Sequence, residues 1–174
     1  MTDISAIEHS PISERTFDVL INNAGTNRPK PLHDVEEEDF DAVMNLNVKG
    51  LYFVTQHTVR NMLRDGIKGS IINISSQIGH VGAANRTIYC ASKFAVEGFT
   101  KALSIELGPQ NIRVNTLAPT FIETPITAGF LQNESFRQDF LSKIKLGRLA
   151  HEKDLLGALL LLTSDASLIE SPRV

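Results

Sequence analysis

The sequence has a single cysteine, Cys90, in 174 residues. That excludes an intramolecular disulfide and fits a reducing compartment. It also lacks a basic tract. Its 17 Lys and Arg stand against 20 Asp and Glu, a formal net charge of −3, so nothing in the charge pattern points to nucleic acid. The longest apolar run, residues 155–162, is too short to cross a bilayer. The opening MTDISAIEHS has neither the basic nor the apolar region of a signal peptide, so a cytoplasmic location is expected. There is no internal repeat, no low-complexity linker and no recognisable set of metal ligands. What remains is ordinary for a globular protein: 42% hydrophobic and 21% charged residues. The length suits one domain over residues 1–174 with a proper core.

The most informative stretch is residues 70–93, SIINISSQIGHVGAANRTIYCASK. It opens on a strand-like run, Ile71, Ile72 and Ile74, breaks at Ser75 and Ser76, and ends in Tyr89-Cys90-Ala91-Ser92-Lys93. Tyr and Lys four apart share one helix face. A phenol with a pKa of ~10 is a poor acid–base catalyst at neutral pH, and a nearby ammonium favours phenolate and lowers that value. Ser76, on a strand-exit loop, would bring a hydroxyl to the same place. Such a trio can hold a carbonyl oxygen and move a proton to or from it, but it supplies no hydride. Taken alone, Tyr-x-x-x-Lys is a common helix-surface pair. Cys90 points away from the shared face and reads as packing.

The rest of the chain alternates strand-like and helical patterns. Residues 1–16 read as a short helix and its approach. Residues 17–21 form a buried-strand run that stops at Asn22-Asn23-Ala24-Gly25, which suits a parallel strand ending at a ligand crevice. Residues 26–33, with Pro29 and Pro31, read as loop. Asp34 and Glu37 resemble a helix start. Phe40, Val43, Met44, Leu51 and Val54 then make an apolar stripe that also contains Asn47, a buried amide that needs partners. A strand at 70–74, a helix at about 86–107 stopped by Gly108-Pro109, a strand at 112–117 and a helix at about 152–163 follow. Small residues Ala91, Ala95, Gly98 and Ala102 allow close packing of the long helix, against the sheet or another subunit.

The combination Asn22-Asn23-Ala24-Gly25, Ser76-x-x-Gly79 and Tyr89-x-x-x-Lys93 resembles the short-chain dehydrogenase/reductase family. Ser76 lies thirteen residues before Tyr89, the usual interval there, and the resemblance runs from about residue 2 to about residue 169. It implies a Rossmann-like α/β fold with a doubly wound parallel sheet. It implies an oxidoreductase that interconverts a ketone and a secondary alcohol with NAD or NADP. Tyr89 would be the general acid/base, Lys93 would lower its pKa and hold the nicotinamide ribose, and Ser76 would bind the substrate oxygen. Asn47, in Asn47-Val48-Lys49-Gly50, would distort its helix and hold a water of the proton relay. The Asn22-Asn23-Ala24-Gly25 segment would stabilise the central sheet, with Asn22, Ala24 and Gly25 against the adenosine side of the cofactor; Pro119 and Ile122 would lie against the nicotinamide amide, and Thr124 against the amide or the phosphate. Thr120 stands where the family has Gly. Gln77, His80, Asn85 and Arg86 fall where the substrate pocket lies and suit a hydroxylated or sugar-like substrate. Residues 125–146 would be a helical lid with Phe130, Leu131, Phe136 and Phe140 as an apolar wall. Helices at about 35–63 and 86–107 would form a homodimer or homotetramer interface.

The resemblance also implies what is not here. The family's Thr-Gly-x-x-x-Gly-x-Gly phosphate loop and the first two βαβ crossovers have no counterpart in these residues, and the last strand is missing too. A partial sheet of three parallel strands with two bare edges is the expectation. The alternative to an active enzyme is an inactive fragment acting, if at all, through dimerisation with a full-length partner.

Overall fold

The structure is a computed structural model and describes residues 3–123 and 134–167. Thr124, Phe130 and Leu131, and the side chains of Phe136 and Phe140, lie outside what it describes. Three strands, β1 (Val19–Asn22), β2 (Ser70–Ile74) and β3 (Arg113–Leu117), form one parallel sheet in the order β1-β2-β3. Leu20 pairs with Ile71, and Ile71 with Val114. Among the described residues the expected three-stranded parallel sheet is therefore present, with β1 and β3 as its outer strands. The first strand begins two residues later than expected and takes in Asn22.

Period-two alternation sorts the strands' side chains to two faces. Ile71 and Val114 turn toward α4 (Leu51–Asp65) and α5 (Thr87–Leu107). There they join Met62, Leu107 and Ile112 in a fully buried cluster, with Leu20, Val59, Ile67 and Leu103 against it. Ser70 turns the other way and donates to the Leu162 carbonyl at 2.7 Å, on the final helix α7 (Lys153–Thr163). Arg113 donates to the same carbonyl at 2.9 Å. Helices thus cover both faces of β2, whose Ile71, Ile72 and Asn73 are completely buried, as a middle parallel strand requires.

Two short helices, α1 (Ile4–Glu8) and α2 (Pro11–Glu14), precede the sheet. Asp3 and Ser10 cap them, and Pro11 sits in the first helical turn, where its missing N–H costs nothing. Asn61 of α4 donates to the carbonyls of Ile12, Ser13 and Arg15, holding this segment to the domain. Next, α3 (Glu37–Met44) opens with a reciprocal Glu36–Asp39 capping box and continues through a wide π turn, Asn45–Gly50, into α4. Val43, Leu51 and Val54 of the expected stripe are buried, but Phe40 is 48% exposed. Phe40 precedes the π turn: α3 buries Asp39 and Val43, one helical turn apart, and leaves Phe40 beside that line. Part of the expected lid is α6 (Glu134–Lys143). Among the described residues no helix is long and apolar enough to cross a membrane.

Candidate active site

The carboxyl ends of the three strands open onto a cleft of about 400 Å³, the place where parallel α/β sheets present ligands. Each candidate group arrives from a different element. Ser76 caps a single 3₁₀ turn, Gln77–Gly79, and accepts from the Ile78 amide at 3.3 Å. The loop around it is tied to the exit of β3: Ser75 N donates to the Leu117 carbonyl at 2.9 Å and Gln77 N to the Pro119 carbonyl at 3.0 Å. A Cβ at Gly79 would stand 2.8 Å from Ser75 Oγ and 3.2 Å from the Lys93 carbonyl, so only glycine lets this loop lie against α5.

Tyr89 and Lys93 come from the start of α5, both lining the cleft with Ser76. Lys93 is 5% exposed, lies 5.6 Å from the centroid of the Tyr89 ring, and donates to the Ile74 carbonyl at 2.8 Å. Burial lowers its pKa to about 8, against a smaller upward pull from Glu97. Burial pushes the Tyr89 phenol above its ordinary value, more than the Ser76 hydroxyl hydrogen bond and the Arg86 charge pull it down. The expected lowering of the Tyr89 pKa by Lys93 does not occur in this arrangement. The ammonium is turned to a backbone carbonyl, and desolvation decides the sign.

Asn47 lies at the centre of the π turn, 1% exposed. Its Nδ2 donates to the Thr26 carbonyl at 2.9 Å and to Ser92 Oγ at 3.1 Å, while its Oδ1 accepts from Thr26 N at 2.8 Å. One side chain thus joins the strand-exit loop at 25–26 to α5, one residue before Lys93. Gly25 sits directly against this junction: a Cβ there would meet Asn47 Oδ1 at 3.4 Å and Lys93 Nζ at 3.9 Å.

Gly25, Pro119 and Ile122 line the cleft, and so do Gln77 and Arg86. Four expected contacts are elsewhere, one of them Asn85, which is exposed and outside the lining. Asn22 is inside β1, and its amide donates to Thr55 Oγ1 and Asn73 Oδ1, each at 2.8 Å, in the core rather than the cleft. A one-residue step in a strand reverses the face, so Asn23 lines the cleft instead. Ala24 is exposed and outside the lining. His80 lies behind the Ser76 loop, its Nε2 3.2 Å from Glu97 Oε1, an ion pair when the imidazole is protonated. Conversely, Thr26, Asn27 and Phe121 line the cleft without having been expected. Their place just past strand ends was the available signal. Cys90 is half-buried, with a free thiol.

The parallel sheet sandwiched between helices, with its cleft at the strands' carboxyl ends, defines a Rossmann-like α/β domain. Residues 5–170 match the family model described as enoyl-(acyl carrier protein) reductase. The chain is 46% identical over 151 residues to 3-oxoacyl-(acyl-carrier-protein) reductase FabG of Thermotoga maritima, covering 87% of this chain and 60% of that protein. It is 32% identical to L-xylulose reductase of Bos taurus, over 96% of this chain and 68% of that one. A solved 4-hydroxyisoleucine dehydrogenase complexed with NADH superposes with a TM-score of 0.92 at 28% identity, over 98% of this chain and 72% of that one. The chain belongs to the short-chain dehydrogenase/reductase family, and it spans about 60% of the length of the curated FabG reductases it matches.

Proposed function

We propose that this chain carries the catalytic half of an NAD(P)(H)-dependent oxidoreductase that interconverts a ketone and a secondary alcohol. The observation that carries this reading is the convergence of Ser76, Tyr89 and Lys93, from two separate elements, on one cleft. The relatives named 3-oxoacyl-(acyl-carrier-protein) reductase and L-xylulose reductase support the same reaction type.

The cleft's residues fit the nicotinamide end of a dinucleotide. Gly25 leaves open space beside the Lys93 ammonium and the Asn47 carbonyl oxygen. Ile74, Pro119 and Ile122 give an apolar wall. Asn27 Oδ1 is buried with no hydrogen-bond partner among the described residues, an acceptor suited to an amide or hydroxyl donor. The nicotinamide supplies or accepts the hydride. Tyr89 then gives a proton to the carbonyl oxygen in reduction, and a phenol held above its ordinary pKa is in the correct state for that step at neutral pH. Ser76, which lines the cleft with Tyr89, holds the same oxygen. Lys93, now bonded to the Ile74 carbonyl, would hold the ribose, and Asn47 fixes the loop at 25–26 beside it.

The test is turnover of a ketone panel with NADH and NADPH by the wild type and by Tyr89→Phe. Reduction by the wild type that Y89F loses supports the reading; no turnover of any ketone by a folded chain contradicts it. A second reading is subunit pairing through α4 and α5. It is favoured by the exposed Tyr52, Phe94 and Ile105 and by the exposed small residues Ala91, Gly98 and Ala102 on these helices.

A further inference from the structure

Glu97 is a buried carboxylate that the chemistry proposed above leaves unused. It sits on α5 one helical turn past Lys93 and is 6% exposed. Burying a charge is costly unless neighbouring groups stabilise it. Three elements meet at this one. Thr116 Oγ1, on β3, donates to Glu97 Oε2 at 3.1 Å. His80 Nε2, from the Ser76 loop, stands 3.2 Å from Oε1. In the same loop, a Cβ at Gly79 would lie 3.1 Å from Glu97 Cγ, so the loop rests on this side chain. On α5 itself, Glu97 shares a helix face with Lys93. Its charge pulls the Lys93 pKa upward, against the larger downward push of burial. The other titratable groups around Lys93 bring it no negative charge at neutral pH. Tyr89 and Arg86 line the cleft with it, and His80 and Cys90 lie outside that lining. In the π turn Asn47 is buried, while Lys49 is exposed. The strand residues of β2 are uncharged.

We propose that Glu97 is a positioning residue of this site, the buried counter-charge that keeps the Lys93 side chain an ammonium where a cofactor ribose would bind. This rests on the reading of the cleft as a nicotinamide site. A dry lysine without a nearby anion drifts toward the neutral amine, which has fewer N–H donors and no charge to offer a ribose or a phenolate. Thr116 holds one oxygen of Glu97 and His80 stands against the other. The carboxylate therefore acts on Lys93 through its field and leaves the ammonium's N–H groups to the Ile74 carbonyl and a ligand. Because the partners of Glu97 come from β3 and the Ser76 loop, the same side chain joins the three elements that carry Ser76, Lys93 and the Pro119 wall.

The first readout is the titration of Lys93, followed by NMR of lysine labelled at Cε in the full chain without cofactor. The wild type should show a midpoint of about 8. Glu97→Gln, which keeps the shape and removes the charge, should lower it by roughly 0.5 unit or more, and Glu97→Asp should stay close to the wild type. The second readout is NADPH affinity by cofactor fluorescence. E97Q should match the wild type at about pH 6, where Lys93 is protonated in both, and bind roughly 3- to 10-fold more weakly at about pH 9. A merely structural Glu97 would weaken binding alike at both. In Lys93→Met, adding E97Q should leave the pH profile unchanged. An unchanged Lys93 midpoint in E97Q, or an equal loss of affinity at both pH values, overturns the proposal. If E97Q does not fold, the wild type decides: its Glu97 carboxyl carbon should show an inflection at the Lys93 midpoint that Lys93→Met lacks, and absence of that inflection overturns the proposal. Failure of the nicotinamide reading shows separately, as absence of NADPH binding at every pH, while the Lys93 titration still decides the role of Glu97.

Discussion

Asn22 and Asn47 are both buried amides that reach from one element to another, yet their surroundings differ in kind. Asn22 belongs to a ladder across the middle of the domain. It donates to Thr55 Oγ1 and Asn73 Oδ1, and Asn73 in turn donates to Thr100 Oγ1 at 2.8 Å. Every partner is a side chain on β1, β2, α4 or α5, and the ladder ends in helix carbonyls through Thr55 and Thr100. Asn47 instead bonds both backbone groups of Thr26, on the loop that lines the cleft, and a hydroxyl next to Lys93. The first network fixes how sheet and helices pack. The second fixes where a loop and an ammonium sit beside a ligand. A π turn in the helix is what places Asn47 in that role.

Substitutions that separate these two roles test the comparison. The largest expected effect is Tyr89→Phe, which removes the proton donor and touches neither network. We expect kcat to fall roughly 10²- to 10⁴-fold, with little change in Tm; an unchanged kcat would move the chemistry elsewhere. Asn73→Ala breaks the core ladder and leaves Asn22 and Thr100 with unpaired groups. A loss of about 2–4 kcal/mol in urea unfolding is expected, while the folded fraction keeps its affinity for nicotinamide cofactor. Asn47→Ala should do the reverse in proportion. Its stability loss is about 1–2 kcal/mol, and its main readout is weaker cofactor binding through a loosened loop at 25–26. If N47A and N73A shift the two readouts in the same ratio, the distinction drawn here fails.

Lys93 gives a pH-dependent version of the same test. Its folded pKa of about 8 lies below its ordinary 10.5. Between those values the unfolded chain holds a proton that the folded chain has released, so stability rises with pH there. The raised Tyr89 pKa opposes this only above its ordinary value of 10.0. Urea midpoints should therefore climb from about pH 8 to 10, by a total on the order of 2 kcal/mol. Lys93→Met should flatten the climb; a climb that persists assigns it to another group. Smallest is His80→Ala, which removes a half-exposed contact to Glu97 outside the cleft. A change under about 1 kcal/mol and an unaltered substrate KM are expected. A raised KM would return His80 to the substrate pocket.

The local patterns in the sequence were enough for most of the fold. The isoleucines of β2, the Asn-Gly and Gly-Pro stops and the Tyr89–Lys93 spacing each reflect a periodicity or a steric rule that acts within a few residues. Of the two roles that the resemblance implied for Asn22, its amide serves the one within the sheet, bonding Thr55 Oγ1 and Asn73 Oδ1. Pattern reading misplaced Phe40, because α3 buries Asp39 and Val43, one turn apart, and leaves Phe40 beside that line. It reversed the sign at Tyr89, because proximity of a cation along a helix says nothing about the carbonyl of Ile74 that captures it, or about how dry the phenol is. His80 could not be assigned from its position in the loop, since Glu97, its partner, arrives from the following helix.

The central claim is that this cleft receives a nicotinamide cofactor at Gly25, Asn47 and Lys93. Its most direct measurement is a titration of the purified chain with NADH and with NADPH, followed by cofactor fluorescence. The account predicts saturable binding by the wild type that is weakened in Asn47→Ala and Lys93→Met. A folded, soluble wild-type chain that binds neither cofactor would contradict it.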